Sequence, residues 1–294
     1  MKIPPATCVL LCAGMVLAMV AGAWAEDAPG AVPAAGPVPE QAKVEKTSDH
    51  GFKIGMVEFD NQTREIRVPG VVNMHQGMIE FPVVHSNGRV HEAIFTTAAL
   101  PMHFETAMRL LRYQPSKEVF PTYPGMDMKN PPPWDKWPDP VYPAAVPESH
   151  VQVLVSWSVD GKVKEPVDIR TMLQRPGGDG SGNGSGANTP AIRFDTVAPY
   201  WVFTGSTEKM SATVESLGGC LVGIRTEAEC SLNTVAADAV HDCEWFADSS
   251  RIPAPGTAVT IHIRPVNAAG PAEKSGAPAR ASRKSPDPIK PTKP

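Results

Sequence analysis

Four polar residues in the first half of the chain have the types needed for metal binding or acid–base chemistry: Glu80, His91, Glu92 and His103. Imidazole and carboxylate groups are common ligands of divalent metals and common general acids and bases. The sequence therefore predicts a polar cluster here. A divalent metal is the one cofactor that this cluster suggests.

Three interpretations of the cluster remain open. Consecutive residues on a strand point to opposite faces, so His91 and Glu92 share a site only if a bulge intervenes. The group is a buried hydrogen-bonded pair that attaches a helix to a sheet, or a binding or catalytic site, or a set of residues that do not associate. The zinc-protease pattern H-E-x-x-H is excluded because Phe95 stands where the second histidine is required. We expect a non-catalytic protein, with a metal-binding protein or metal-dependent enzyme as the alternative.

Two strands and a helix are predicted to position these residues. Residues 78–84 and 91–96 form a predicted strand pair, joined by the turn residues Ser86-Asn87-Gly88. Residues 98–112 change to the helical period, with Pro101 suited to the first turn. The apolar residues at helical spacing are Phe104, Ala107, Met108 and Leu111.

The fold class predicted for residues 51–265 is a single α+β domain, with mainly antiparallel strands and this one clear amphipathic helix. Residues 151–159 are the strongest further strand, and residues 257–264 are another. Two long loops interrupt the domain: a segment rich in proline and aromatic residues at 114–149, and a glycine-rich loop at 175–190.

The proline-rich segment carries aromatic residues that could face a ligand. They are Tyr123, Trp134, Trp137 and Tyr142. Such side chains beside prolines either contact a partner, such as an envelope protein or a surface polymer, or pack as a lid over the domain's own core.

Three cysteines follow the N-terminal region: Cys220, Cys230 and Cys243. Their spacing matches no zinc pattern, so a disulfide is the expected use in an oxidising compartment. One local bridge is predicted, either Cys220–Cys230 or Cys230–Cys243.

The N-terminal region predicts export to the periplasm, the cell envelope or the exterior. Residues 1–25 resemble a signal peptide, with Ala23-Trp24-Ala25 before the expected cleavage point. The apolar run is about 15 residues, shorter than the roughly 20 of a membrane-spanning helix. We expect no membrane span after cleavage, and a flexible Ala/Pro-rich leader at residues 26–50.

The charge of the chain argues against nucleic-acid binding. Its formal net charge is −4 at pH 7, whereas nucleic-acid binders carry a basic surface. Residues 266–294 are the exception, because they are basic and rich in proline. With almost no large apolar side chain, this tail is predicted to be disordered.

Several segments resemble the YdjY-type domain family. They are Asn73-Met74-His75-Gln76-Gly77-Met78-Ile79-Glu80-Phe81, Gly88-Arg89-Val90-His91-Glu92-Ala93, Pro101-Met102-His103, residues 196–206 and residues 255–265. The resemblance covers most of residues 52–265. It implies a secreted or envelope protein of bacteria, often from planctomycete-like lineages, and it implies no particular activity or catalytic residue.

Overall fold

The computed structural model describes residues 43–133, 136–175, 190–205, 219–236 and 245–266. Several sequence predictions lie outside these residues. They are the signal peptide, the leader up to residue 42, Trp134, the glycine-rich loop from 176 to 189, Cys243, and the tail from residue 267.

Strands dominate the described chain. Its first half contains β1 (Val44–Lys46), β2 (Gly51–Ile54), β3 (Val57–Asp60), β4 (Ile66–Val72), β5 (Phe81–His85), β6 (Ala93–Thr97) and the helix α1 (Pro101–Leu110). Its second half contains β7 (His150–Val159), β8 (Lys162–Val163), β9 (Val167–Asp168), β10 (Leu173–Arg175), β11 (Ile192–Arg193), β12 (Trp201–Phe203), β13 (Cys220–Gly223), β14 (Cys230–Thr234), β15 (Phe246–Ala247) and β16 (Ala258–Pro265).

Eight of these strands close into a barrel, in the order β4-β16-β7-β12-β14-β13-β5-β6. Closure occurs at β4, which pairs with β16 along one edge and with β6 at Val71 and Val72 on the other. The first residues of β4, Ile66 and Arg67, pair on the same side with β3. This pairing attaches the β1–β2–β3 meander to the barrel. A closed barrel of this size leaves no free edge within the ring, and side chains fill its interior.

The predicted α+β class is wrong, because the protein is mostly β with a closed barrel. The helix itself is present at 101–110, but it is the one α-helix among the described residues. The pairs β5–β6 and β13–β14 are parallel. Barrel closure depends on contacts between strands far apart in the chain, which local periodicity does not reveal.

Alternation along the long strands places one face in the core and the other outside. On β7 the inward residues Val151, Val153 and Val155 are fully buried, and β16 contributes Val259 and Ile261. Burial of each such side chain stabilises the fold by about 1.5–3 kcal/mol. Helix α1 adds its apolar face to the same core. No helix in the described ranges has the length and apolar character needed to cross a membrane.

Candidate functional site

Glu80 lies just before β5 and is enclosed by two neighbouring chain segments. Its backbone carbonyl accepts a hydrogen bond from the Ile224 N–H at 2.8 Å, and its N–H donates to the Glu92 carbonyl at 3.2 Å. Its carboxylate is only 12% exposed and lies 3.7 Å from the Arg225 guanidinium. Burial raises the pKa of the Glu80 carboxyl, and the nearby charge of Glu92 raises this pKa further.

His91 and Glu92 occupy a 3₁₀ turn, Val90–Glu92, and not the predicted strand. The His91 side chain is 71% exposed, and its Nε2 lies 3.6 Å from Glu92 Oε1. Such an exposed pair contributes little to stability. The structure therefore brings Glu80 and Glu92 close together and leaves His91 beside them at the surface.

Arginines neutralise the acidic groups around Glu80. Arg89 donates two hydrogen bonds to the Glu227 carboxylate, and Arg225 Nε lies 3.8 Å from Glu227 Oε1. The Asn233 amide accepts from the Glu227 N–H at 2.9 Å and donates to the Glu227 carbonyl at 3.0 Å. The Arg89–Glu227 pair is 138 positions apart in the chain, so no local pattern could have identified it.

His103 lies in a different environment, in the first turn of α1 against the β2–β3 turn. Gly55 in that turn has φ +55°, and a Cβ there would overlap the His103 imidazole. Burial lowers the pKa of His103. In the described chain, no hydrogen bond or ion pair joins His103 to Glu80, His91 or Glu92.

The charged residues around Glu80 form a network of ion pairs between two loops of the barrel, the loop that joins β5 to β6 and the loop that joins β13 to β14. Within the described ranges, no three His, Cys, Asp or Glu side chains are placed so that they could hold a metal ion. Arg89 belongs to the β5–β6 connection, whereas Arg225 and Glu227 belong to the β13–β14 connection. The network therefore ties the two parallel strand pairs of the barrel together.

Residues 121–148 of the proline-rich segment, here called the arm, form a connection between α1 and β7. Between these limits no described residue is buried. The base is closed by Thr122 and Val141, whose backbone N–H groups each donate to the other's carbonyl at 2.8 Å. The described residues of the arm are therefore exposed or half-buried.

Aromatic side chains interact within the arm. The Tyr123 and Trp137 rings meet edge to face, with centroids 4.9 Å apart. The Trp137 indole N–H donates to the Pro132 carbonyl at 2.9 Å, while 37% of Trp137 stays exposed. Tyr142 is half-buried. These contacts hold the Trp137 ring in one orientation with an accessible surface.

A buried carboxylate, which the sequence did not single out, anchors the arm to the barrel. Glu118 accepts hydrogen bonds from the Ser116 hydroxyl at 2.9 Å and the Val146 N–H at 2.9 Å. His150 on β7 approaches the same carboxylate at 3.0 Å, and its ring stacks on Tyr200 at 3.9 Å. The two ends of the arm are therefore joined at one point.

A disulfide links the parallel strands β13 and β14. It joins Cys220 to Cys230, with their Cα atoms 4.6 Å apart in register. Both residues are buried. This bridge is one of the two that the cysteine spacing predicted, and Cys243 lies outside the described residues.

The fold and these sites define a mostly β protein with a closed eight-stranded barrel, an anchored arm and an internal disulfide. The model of the YdjY domain matches residues 57–264, from β3 into β16. The chain therefore belongs to the YdjY domain family, and the resemblance noted from its sequence is confirmed. Comparisons with curated proteins and with solved structures found no match. The family match assigns no activity to the barrel.

Proposed function

We propose that this protein is an exported binding module of the cell envelope and that its arm contacts a partner protein. The observation that carries the proposal is the exposure of the arm: from residue 121 to 148, no described side chain is buried. A segment of this length that does not contribute to the core is available to bind a partner. Its anchored base holds the exposed side chains in place for such a contact.

The chemistry of the arm favours a protein partner. Met128 is 63% exposed, Val141 is 52% exposed and Trp137 is 37% exposed. Aromatic residues and methionine are enriched in the cores of protein interfaces, and exposed apolar groups often mark such sites. The many prolines restrict the unbound arm, which lowers the entropy lost on binding.

Two features support export. The Cys220–Cys230 disulfide belongs to an oxidising compartment, because cytosolic thiols are kept reduced. The signal-peptide pattern of residues 1–25 predicts the same destination.

A photo-crosslinking amino acid at position 128 tests the arm in intact cells. We expect a discrete adduct that a protease digests, and we expect Trp137→Ala to weaken binding of the identified partner by about 30-fold, as for an interface hot spot. The matched control places the crosslinker at Val163, an equally apolar residue on β8 that is 72% exposed.

The proposal fails if positions 128 and 163 give the same adducts, or if Trp137→Ala leaves the adduct unchanged. An adduct that resists protease but is removed by glycan hydrolysis would assign the arm to a surface polymer instead.

A metal-dependent role for Glu80, His91, Glu92 and His103 has less support. Arg225 already compensates the Glu80 carboxylate, and His103 contacts the β2–β3 turn. A divalent metal would need at least one of these contacts to rearrange.

A further inference from the structure

Ser156, His262 and Glu65 are far apart in the sequence but are linked by hydrogen bonds on the outer face of the barrel sheet. His262 Nε2 lies 2.8 Å from the Ser156 hydroxyl oxygen. His262 Nδ1 lies 2.9 Å from Glu65 Oε1. The order is therefore hydroxyl, imidazole and carboxylate, which is the arrangement by which a base activates a serine and a third group orients the base.

Strand alternation places these groups on one surface. The inward residues of β16 are buried in the core, so His262 and Thr260 project from the other face. Thr260 lies directly opposite Ser156 on β7, and His262 lies opposite Arg67 on β4. Glu65 immediately precedes β4. Three neighbouring strands therefore hold the three groups in register.

The charge of Glu65 determines which ring nitrogen of His262 carries the proton. Burial alone would raise the Glu65 pKa, but hydrogen bonds from Arg264 and His262 outweigh it and lower this pKa. For His262, burial lowers the pKa. The positive charges of Arg264 and Arg67 lower it further, whereas the hydrogen bond and negative charge of Glu65 raise it in part. An ionised carboxylate only accepts hydrogen bonds, so Nδ1 of the neutral ring carries the proton. Nε2 is then a free base, and the Ser156 hydroxyl donates to it.

We propose that Ser156, His262 and Glu65 form an acyl-transfer site that takes small carboxylic esters, an activity separate from binding through the arm. Ser156 is 4% exposed and His262 is 9% exposed, so the proposed substrates are restricted to esters whose acyl group is as small as acetyl.

The reaction is balanced with ester and water alone. The Ser156 oxygen bonds to the acyl carbon while its proton passes to His262 Nε2. The bond from the acyl carbon to the leaving oxygen then breaks, and the leaving alcohol takes that proton. Water repeats the sequence at the acyl-serine and releases the carboxylic acid, which restores the hydroxyl. Glu65 holds the ring and stabilises its protonated form throughout.

Acetylation by p-nitrophenyl acetate, whose acyl group has the proposed size, tests the site on the purified full chain. We expect one modification, mapped by peptide mass spectrometry to Ser156, with a rate that rises as the pH increases through the lowered pKa of His262. Hydrolysis of p-nitrophenyl acetate is expected to fall in the same variants. Ser156→Ala removes both signals, and His262→Gln slows them by about 10²-fold or more.

Ser158 provides the matched control, because it lies two residues further along the same face of β7 and is exposed. Ser158→Ala is expected to leave both rates unchanged. No modification at Ser156 in the native protein would overturn the proposal, and so would labelling of Ser158 at an equal rate. A rate that is insensitive to His262→Gln in folded protein would show that the three groups only connect strands β4, β16 and β7.

Discussion

Replacing Glu118 by alanine provides a test of how the arm is fixed to the barrel. The Glu118 side chain is 7% exposed and the His150 side chain is 13% exposed, so the contacts of this carboxylate are largely shielded from water in the native protein. The change leaves three donors without their acceptor: the Ser116 hydroxyl, the Val146 N–H and the His150 ring.

The expected loss in the free energy of unfolding is about 3 kcal/mol. A buried donor left unsatisfied costs about 1–3 kcal/mol, and three donors lose their acceptor here. We take the lower part of that range because the half-buried Val146 and His150 become partly hydrated in the variant. Glu118→Gln keeps an acceptor oxygen and is expected to cost less.

Urea denaturation measures the loss, and hydrogen exchange locates it. We expect faster exchange at the Val146 amide and at the paired amides of Thr122 and Val141, while barrel strands stay protected. Glu148→Ala is the control, because Glu148 is an exposed acid in the same arm. A loss below about 1 kcal/mol, or one equal to that of Glu148→Ala, would refute the anchoring role.

The same carboxylate gives a pH dependence. Burial alone would raise the Glu118 pKa, but the hydrogen bonds from His150, Val146 and Ser116 outweigh it and lower this pKa below 4.5. A carboxyl with a lowered folded-state pKa contributes its stability above the unfolded-state value, and this contribution is lost as the pH falls through the folded-state value. Urea midpoints of wild-type protein should therefore fall in acid more steeply than those of Glu118→Gln.

Four further predictions concern the rest of the chain. Replacing both Cys220 and Cys230 by alanine should cost about 2–4 kcal/mol in urea denaturation, and added reductant should then have no further effect at this bridge. Gly55→Ala should cost about 2 kcal/mol because of its positive φ and its overlap with an imidazole, whereas Gly161→Ala, at φ +74° in open space, isolates the backbone contribution. N-terminal sequencing of exported protein should begin at Glu26, and a start at residue 1 would contradict signal cleavage. Elemental analysis of protein purified from the periplasm should find no stoichiometric divalent metal. Bound metal that disappears after His91→Ala and His103→Ala would contradict the interpretation that arginines, and not a metal, compensate the charge of Glu80.

Local periodicity was enough to locate individual elements. The prediction of a helix at residues 98–112 corresponds to α1 at 101–110, and the strong strand at 151–159 corresponds to β7 at 150–159. These agree because side-chain spacing of 3.6 or 2 residues is itself a local property. The strand pair at 78–84 and 91–96 corresponds to β5 and β6, but their parallel direction was not apparent.

The candidate cluster shows why sites are harder to predict than elements. His91 and Glu92 were assigned to a strand, yet residues 90–92 form a 3₁₀ turn. Glu80 was identified, but its partner Arg225 was not, because the two are far apart in the chain and meet only across the β5–β13 pairing. The polar groups were therefore recognised without their partners.

The sequence by itself determined the family, the alternating pattern of the long strands and the helix, and it narrowed the disulfide to two candidate pairs. Tertiary structure alone decided between those pairs, and it alone decided the closure of the barrel, the exposure of the arm and the meeting of Glu65, Ser156 and His262. The physical reason is that strand register joins residues whose separation in the chain reaches 197 positions. Such register depends on all the strands of the ring at once, and no local window of sequence contains that information.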